Sequence, residues 1–150
     1  MVAGRWRVVE KVDEMTDDKN VFVTLYSTEP VQMRNGKKLP TLHARCQENK
    51  FAMYVVVGSM VDSDWRSGTA KVRYRFGAED AQTARLPRSD SRDALFFRKE
   101  KTWLGRLRER DGQTLKMEVP LYSSGDVLLT FDLTGSEQAL PMVMKACGLE

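Results

Sequence analysis

The segment Thr69–Gly77, TAKVRYRFG, sets Ala70, Val72, Tyr74 and Phe76 at every second position, with Lys71, Arg73 and Arg75 between them. Period two is the side-chain repeat of a β-strand, so this stretch hides its apolar half only on a sheet with one buried face. The same alternation runs through Thr41–Gln47, TLHARCQ, with Leu42, Ala44 and Cys46 inward and His43 and Arg45 outward. Further strands are expected at Arg5–Val12, Val21–Ser27, Leu115–Leu121 and Val127–Gly135, with shorter ones at Thr83–Leu86 and Ala94–Arg98. Phe51–Gly58, FAMYVVVG, is apolar at almost every position and reads as a central strand. About eight short antiparallel strands define a mainly β fold, either a β-sandwich or a partly open barrel.

Turn chemistry and helical spacing fill the gaps. Asn35-Gly36 is a hairpin signal, and Pro30 and Pro40 on either side keep it at an edge or in a loop. The acids Asp13, Glu14, Asp17 and Asp18 lack the spacing and glycine of a calcium loop and read as a solvated turn. Trp103 and Leu107 share one face of a helix expected over Thr102–Arg110. In TGSEQALPMVMKACG, Thr134 and Glu137 have capping-box spacing, and Leu140, Val143, Met144 and Cys147 follow on one face. Pro141 fits only the first turn of a helix, which predicts a short regular part. Residues 1–148 read as a single all-β domain, and Leu149-Glu150 as a cloning remnant.

Charge is mildly positive, 24 basic against 21 acidic residues. It is unevenly spread: residues 71–110 hold twelve basic and six acidic residues. The row Lys71, Arg73 and Arg75, together with Arg45, is a candidate surface for an anionic partner unless acids such as Glu79 or Asp80 neutralise it. Nucleic acid is the less favoured partner, because Tyr74 lies on the face opposite the row and cannot stack a base beside it. Trp65, in VDSDWRSG, is either a lid folded onto the core or an exposed protein-binding anchor, and the lid is the expectation. No apolar run approaches the length of a membrane span, about 18 residues. Met1 is followed directly by VAGRWRVVE, without a leader-like stretch.

Catalytic chemistry has little to stand on. His43 is the only imidazole, no glycine-rich phosphate loop follows a strand, and no cluster has metal-ligand spacing. The expectation is a protein without enzymatic activity, cofactor or metal. The two cysteines, Cys46 and Cys147, are 101 residues apart. They read as buried free thiols or as a disulfide, and the disulfide is preferred because it would tie down a terminal helix that otherwise frays. A disulfide would imply an oxidising compartment, with the cytoplasm as the alternative.

Several features in fixed order carry a resemblance. Trp6 and Val8 begin a strand that runs into MTDDKNVFVTLYS, and a cysteine closes LHARC. A Phe96-Phe97 strand precedes a short helix, LYSSGDVLLTFDLTG follows, and a terminal helix ends in Ala146-Cys147. In this the chain resembles the VasI/TagO family of type VI secretion-associated proteins and their prophage relatives. The resemblance implies a small, exported, non-enzymatic accessory protein of the bacterial envelope, periplasmic, with Cys46 paired to Cys147. Its implied partner is another envelope or secretion-apparatus protein. The alternative is a phage-borne cytoplasmic module that binds an anionic partner through a basic β-face.

Overall fold

Alternating burial builds the sheets. In the computed structural model, which describes residues 1–149, Thr41–Gln47 is a strand whose Leu42, Ala44 and Cys46 are buried while its other positions are not. Thr69–Phe76 behaves alike, with Lys71, Arg73 and Arg75 exposed between buried neighbours. In chain order the elements are β1 (Val2–Ala3), β2 (Trp6–Val12), β3 (Lys19–Tyr26), β4 (Val31–Met33), β5 (Gly36–Lys38), β6 (Thr41–Gln47) and β7 (Lys50–Val56). They continue as β8 (Thr69–Phe76), β9 (Gln82–Pro87), β10 (Ala94–Phe96), α1 (Glu100–Glu109), β11 (Thr114–Leu121), β12 (Gly125–Asp132) and α2 (Ser136–Ala146).

Ten of these strands form two antiparallel sheets, a six-stranded one ordered β1-β2-β3-β6-β7-β10 and a four-stranded one ordered β12-β11-β8-β9. The barrel is not closed: β1 and β12 are the end strands, while a single bridge between Arg88, just after β9, and Leu95 on β10 joins the two sheets along one side, within the sandwich or partly open barrel that was expected. Trp6, Leu25, Leu42 and Val55 from the larger sheet meet Val72, Leu115, Met117 and Phe131 from the smaller in one buried cluster. Each such side chain contributes about 1.5–3 kcal/mol by leaving water. Twelve strands stand where nine stretches were expected, because β1 and the three-residue arms β4 and β5 are too short to show a repeat. β4 and β5 are the hairpin marked by Asn35-Gly36, with Met33 opposite Gly36. β7 is less central than its composition suggests: beyond it lies only the short edge strand β10.

The helices depart from expectation in two instructive places. Thr134 does not cap α2; its hydroxyl donates to Asp132 instead. The cap comes from afar: the Asp111 carboxylate accepts the N–H groups of Gly135 at 3.0 Å and Glu137 at 2.9 Å. Pro141 sits inside α2 rather than at its first turn, and the helix runs on to Ala146. The carbonyl it leaves without an N–H belongs to Glu137, which is exposed, so water can satisfy it.

Three ties hold α2 against the six-stranded sheet. Cys46 on β6 is bonded to Cys147 at the end of α2, with Cα atoms 5.6 Å apart. The indole N–H of buried Trp6 donates to the Ser136 hydroxyl at 3.2 Å. The backbones at Gly4 and Gly135 touch so closely that a Cβ on either would strike the other segment, at the Thr134 and Ala3 carbonyls respectively. Both also have φ in the left-handed region, which leaves glycine as the residue that fits. Leu149 packs against the core, whereas Glu150, its companion in the expected cloning remnant, lies outside the described residues. No described helix is long and apolar enough to cross a membrane.

Candidate binding groove and the opposite face

The exposed side of β8 forms the floor of a groove of about 620 Å³. Lys71 and Arg73 lie on this floor, Arg85 comes from β9 and Glu118 from β11, and Asp62 and Asp64 stand on the preceding loop. Register explains the assembly. Lys71 pairs with Arg85 across β8 and β9, and Arg73 faces Glu118 across β8 and β11.

The basic row is therefore partly neutralised, though not by the acids expected. Arg73 Nη2 meets Glu118 Oε2 at 2.9 Å. Arg75 Nε donates to the backbone carbonyl of Glu79, not to its carboxylate. That carboxylate is gripped by both ends of the Arg110 guanidinium at 2.7 and 2.9 Å. The hydrogen bonds from Arg110 hold the Glu79 carboxyl below its ordinary range. Asp80 forms no ion pair among the described residues. Lys71 and Arg85 sit directly opposite each other without an ion pair, an arrangement that repels.

Trp65 is not a lid. It is 84% exposed, with the Arg66 guanidinium 5.1 Å above its ring. The turn that carries it is closed by its own bonds: Asp64 N–H donates to the Thr69 carbonyl and Gly68 N–H to the Asp64 carbonyl. The Asp64 carboxylate also accepts the Arg66 N–H at 2.8 Å. So tight a turn aims the indole outward, beside the groove rather than over the core.

Arg45 belongs elsewhere. It projects from the outer side of the six-stranded sheet, across the sandwich from the β8 row, with its guanidinium 5.2 Å from the centre of the Tyr54 ring. His43 shares that side, stacked on Tyr54 with centroids 4.9 Å apart. Its Nε2 lies 2.7 Å from the Thr41 hydroxyl and its Nδ1 3.3 Å from the Thr24 hydroxyl. Burial, and secondarily the Arg45 charge, push its pKa below the ordinary histidine value. The fold thus brings Lys71, Arg73 and Arg75 together, sets Trp65 near them, and puts Arg45 on a separate surface. Sequence reasoning missed Arg85, Asp62, Asp64 and Glu118 as groove residues. Glu118 occupies an outward position on its strand, but what it faces depends on cross-strand register, which alternation does not encode.

Among the described residues no cluster of acids, histidines or cysteines could hold a metal. The groove offers ion-pairing and hydrogen-bonding groups of both signs, in a two-sheet protein tied by one disulfide. No protein-family model matches the chain, and no curated protein matches it. Among solved structures, it is similar to invasion associated protein B from Bartonella henselae, with a TM-score of 0.61 over 97% of this chain and 95% of that one. The identity is 13%, so the likeness is one of fold.

Proposed function

We propose that this chain is an exported binding protein of the bacterial cell envelope, periplasmic and without catalytic activity. The observation that carries the reading is the Cys46–Cys147 bond, which uses both cysteines of the chain. Such bonds persist where the surroundings are oxidising and are rare in a reducing cytosol. A fold shared with a bacterial protein named for its association with invasion is compatible with that placement. The absence of catalysis rests on chemistry: the one imidazole is engaged by two threonine hydroxyls and stacked on a tyrosine rather than poised beside a nucleophile. The finer assignment, an accessory role in type VI secretion with an envelope or apparatus protein as partner, rests on the ordered motifs that resemble the VasI/TagO family.

The test is fractionation of cells that express the native gene, with alkylation of free thiols before lysis. The expected result is a periplasmic protein in which neither cysteine is alkylated until a reductant is added. A cytosolic protein with two alkylated cysteines overturns the proposal. Deletion of the gene with type VI secretion unimpaired removes the finer assignment alone.

A further inference from the structure

The outer side of the six-stranded sheet carries a charge pattern that the register makes explicit. Arg7 on β2 lies opposite Thr24 on β3, Thr24 opposite His43 on β6, His43 opposite Tyr54 on β7, and Tyr54 opposite Phe96 on β10. The next row holds Val9, Phe22, Arg45 and Ala52. Lys11 and Lys50 project from the same side farther along. Four cations share this face, and no outward position of its strands is a carboxylate. Glu48, in the turn after β6, borders Arg45 and Lys50 at one end.

We infer that this face binds an anionic polysaccharide laid across β2, β3, β6 and β7. Charge complementarity sets the sign: two copies of this chain packed face to face would oppose cation to cation, so the partner must be acidic. Polarity sets the class. A protein interface has an apolar centre and a polar rim. Here the centre is mixed: the half-buried rings of Phe22 on β3 and Tyr54 on β7 flank Thr24, His43 and Arg45. The outward residues of the inner strand β6 are Thr41, His43, Arg45 and Gln47, while the exposed apolar groups, Val9 at 48%, Tyr26 at 42% and Phe96 at 37%, lie toward the edges and ends. Hydroxyl, amide, imidazole and guanidinium groups at the centre suit a hydroxyl-rich polymer with acidic substituents. Single-stranded nucleic acid would want free ring faces, but the facing sides of Tyr54 and His43 are spent on each other and Arg45 lies over Tyr54. Preferring a glycan over a nucleic acid also rests on the exported reading proposed above.

Binding of purified, oxidised protein to polygalacturonate tests the inference, with dextran, poly-L-glutamate and oligo(dT) as comparators. Arg7→Glu with Arg45→Glu is expected to weaken polygalacturonate binding at least about tenfold, since two attractions become repulsions. The charge-matched control Lys101→Glu with Arg108→Glu, on the exposed side of α1, is expected to stay within about twofold, because steering depends on local field rather than net charge. Thr24→Ala and Arg45→Gln, which are milder for folding, should each weaken binding at unchanged melting temperature. Equal weakening by the control pair, tighter binding to oligo(dT) or poly-L-glutamate, or no binding to polygalacturonate overturns the inference. The two proposals fail separately: a cytosolic protein that binds polygalacturonate through this face loses export alone, and an exported one that does not bind it loses this face alone.

Discussion

The two outer faces of the sandwich both carry cations, and they treat them differently. On the four-stranded sheet, Arg73 is paired with Glu118, and Asp62 and Asp64 line the same groove as Lys71 and Arg85. On the six-stranded sheet, Arg7, Lys11, Arg45 and Lys50 share a face whose strands offer no carboxylate. The sequence draws the eye to the first face, because Lys71, Arg73 and Arg75 are consecutive outward positions of one strand. The second is spread over three strands and collects only when they pair. A run of charge along a strand therefore says less about binding than the sum of charge across a sheet.

The largest expected effect loosens the framework under the second face. Cys147→Ser frees α2 from β6 and should cost about 2–5 kcal/mol, read from denaturant unfolding with and without reductant. If the six-stranded face really depends on that anchorage, amides of β3 and β6 should lose more exchange protection than those of β8 and β11. Asp111→Ala removes the carboxylate that accepts two N–H groups at the start of α2, and about 1 kcal/mol should go with it. Thr134→Ala, by contrast, should leave the cap intact, so a larger loss from Thr134 than from Asp111 would refute the capping geometry.

Glu118→Gln attacks the comparison directly. It breaks the partly exposed pair with Arg73, worth up to about 1 kcal/mol, and unmasks the row on the four-stranded sheet. Retention on an anionic column should rise at low salt; if it does not, the row was never held in check by that acid. The smallest effect is in pH. Burial makes His43 harder to protonate in the folded protein than in the unfolded chain. The stability this confers is present above the unfolded histidine pKa, about 6.5. It declines as pH falls from there toward the folded value, because the unfolded chain takes up the proton first. His43→Gln should flatten that part of the stability curve, measured between about pH 7 and 5.

Much of the fold was legible because side-chain period is a local property. Thr41–Gln47 was read with its exact bounds and Thr69–Phe76 within a residue, since each alternates without interruption. The helices were legible from Trp103, Leu107 and Val143, but the cap on α2 was not, because its acceptor is the carboxylate of Asp111, a loop residue 24 positions before Gly135. Trp65 failed for a related reason: an indole reads as core by composition, whereas the Asp64 turn decides its direction. The disulfide could be weighed from fraying and cysteine count. The acid-free face could not be, because it is a property of register among strands far apart in sequence.

The contact between Gly4 and Gly135 bears on the order in which the chain can finish folding. The smaller sheet is two hairpins, β8–β9 and β11–β12, joined where Phe76 meets Leu115, so none of its pairings reaches as far along the chain as Ala3 does to Gly135. The larger sheet begins at residue 2, yet its first strands rest on a segment that starts at Thr134, and its bond at Cys46 waits for Cys147. Distant pairings of this kind are slow to form, since the loop entropy is spent before the contact is gained. For a polypeptide emerging amino end first, the earliest strands made would be among the last to be locked, and a truncation before Thr134 should leave β8–β12 better protected than β2 and β3 in pulsed hydrogen exchange.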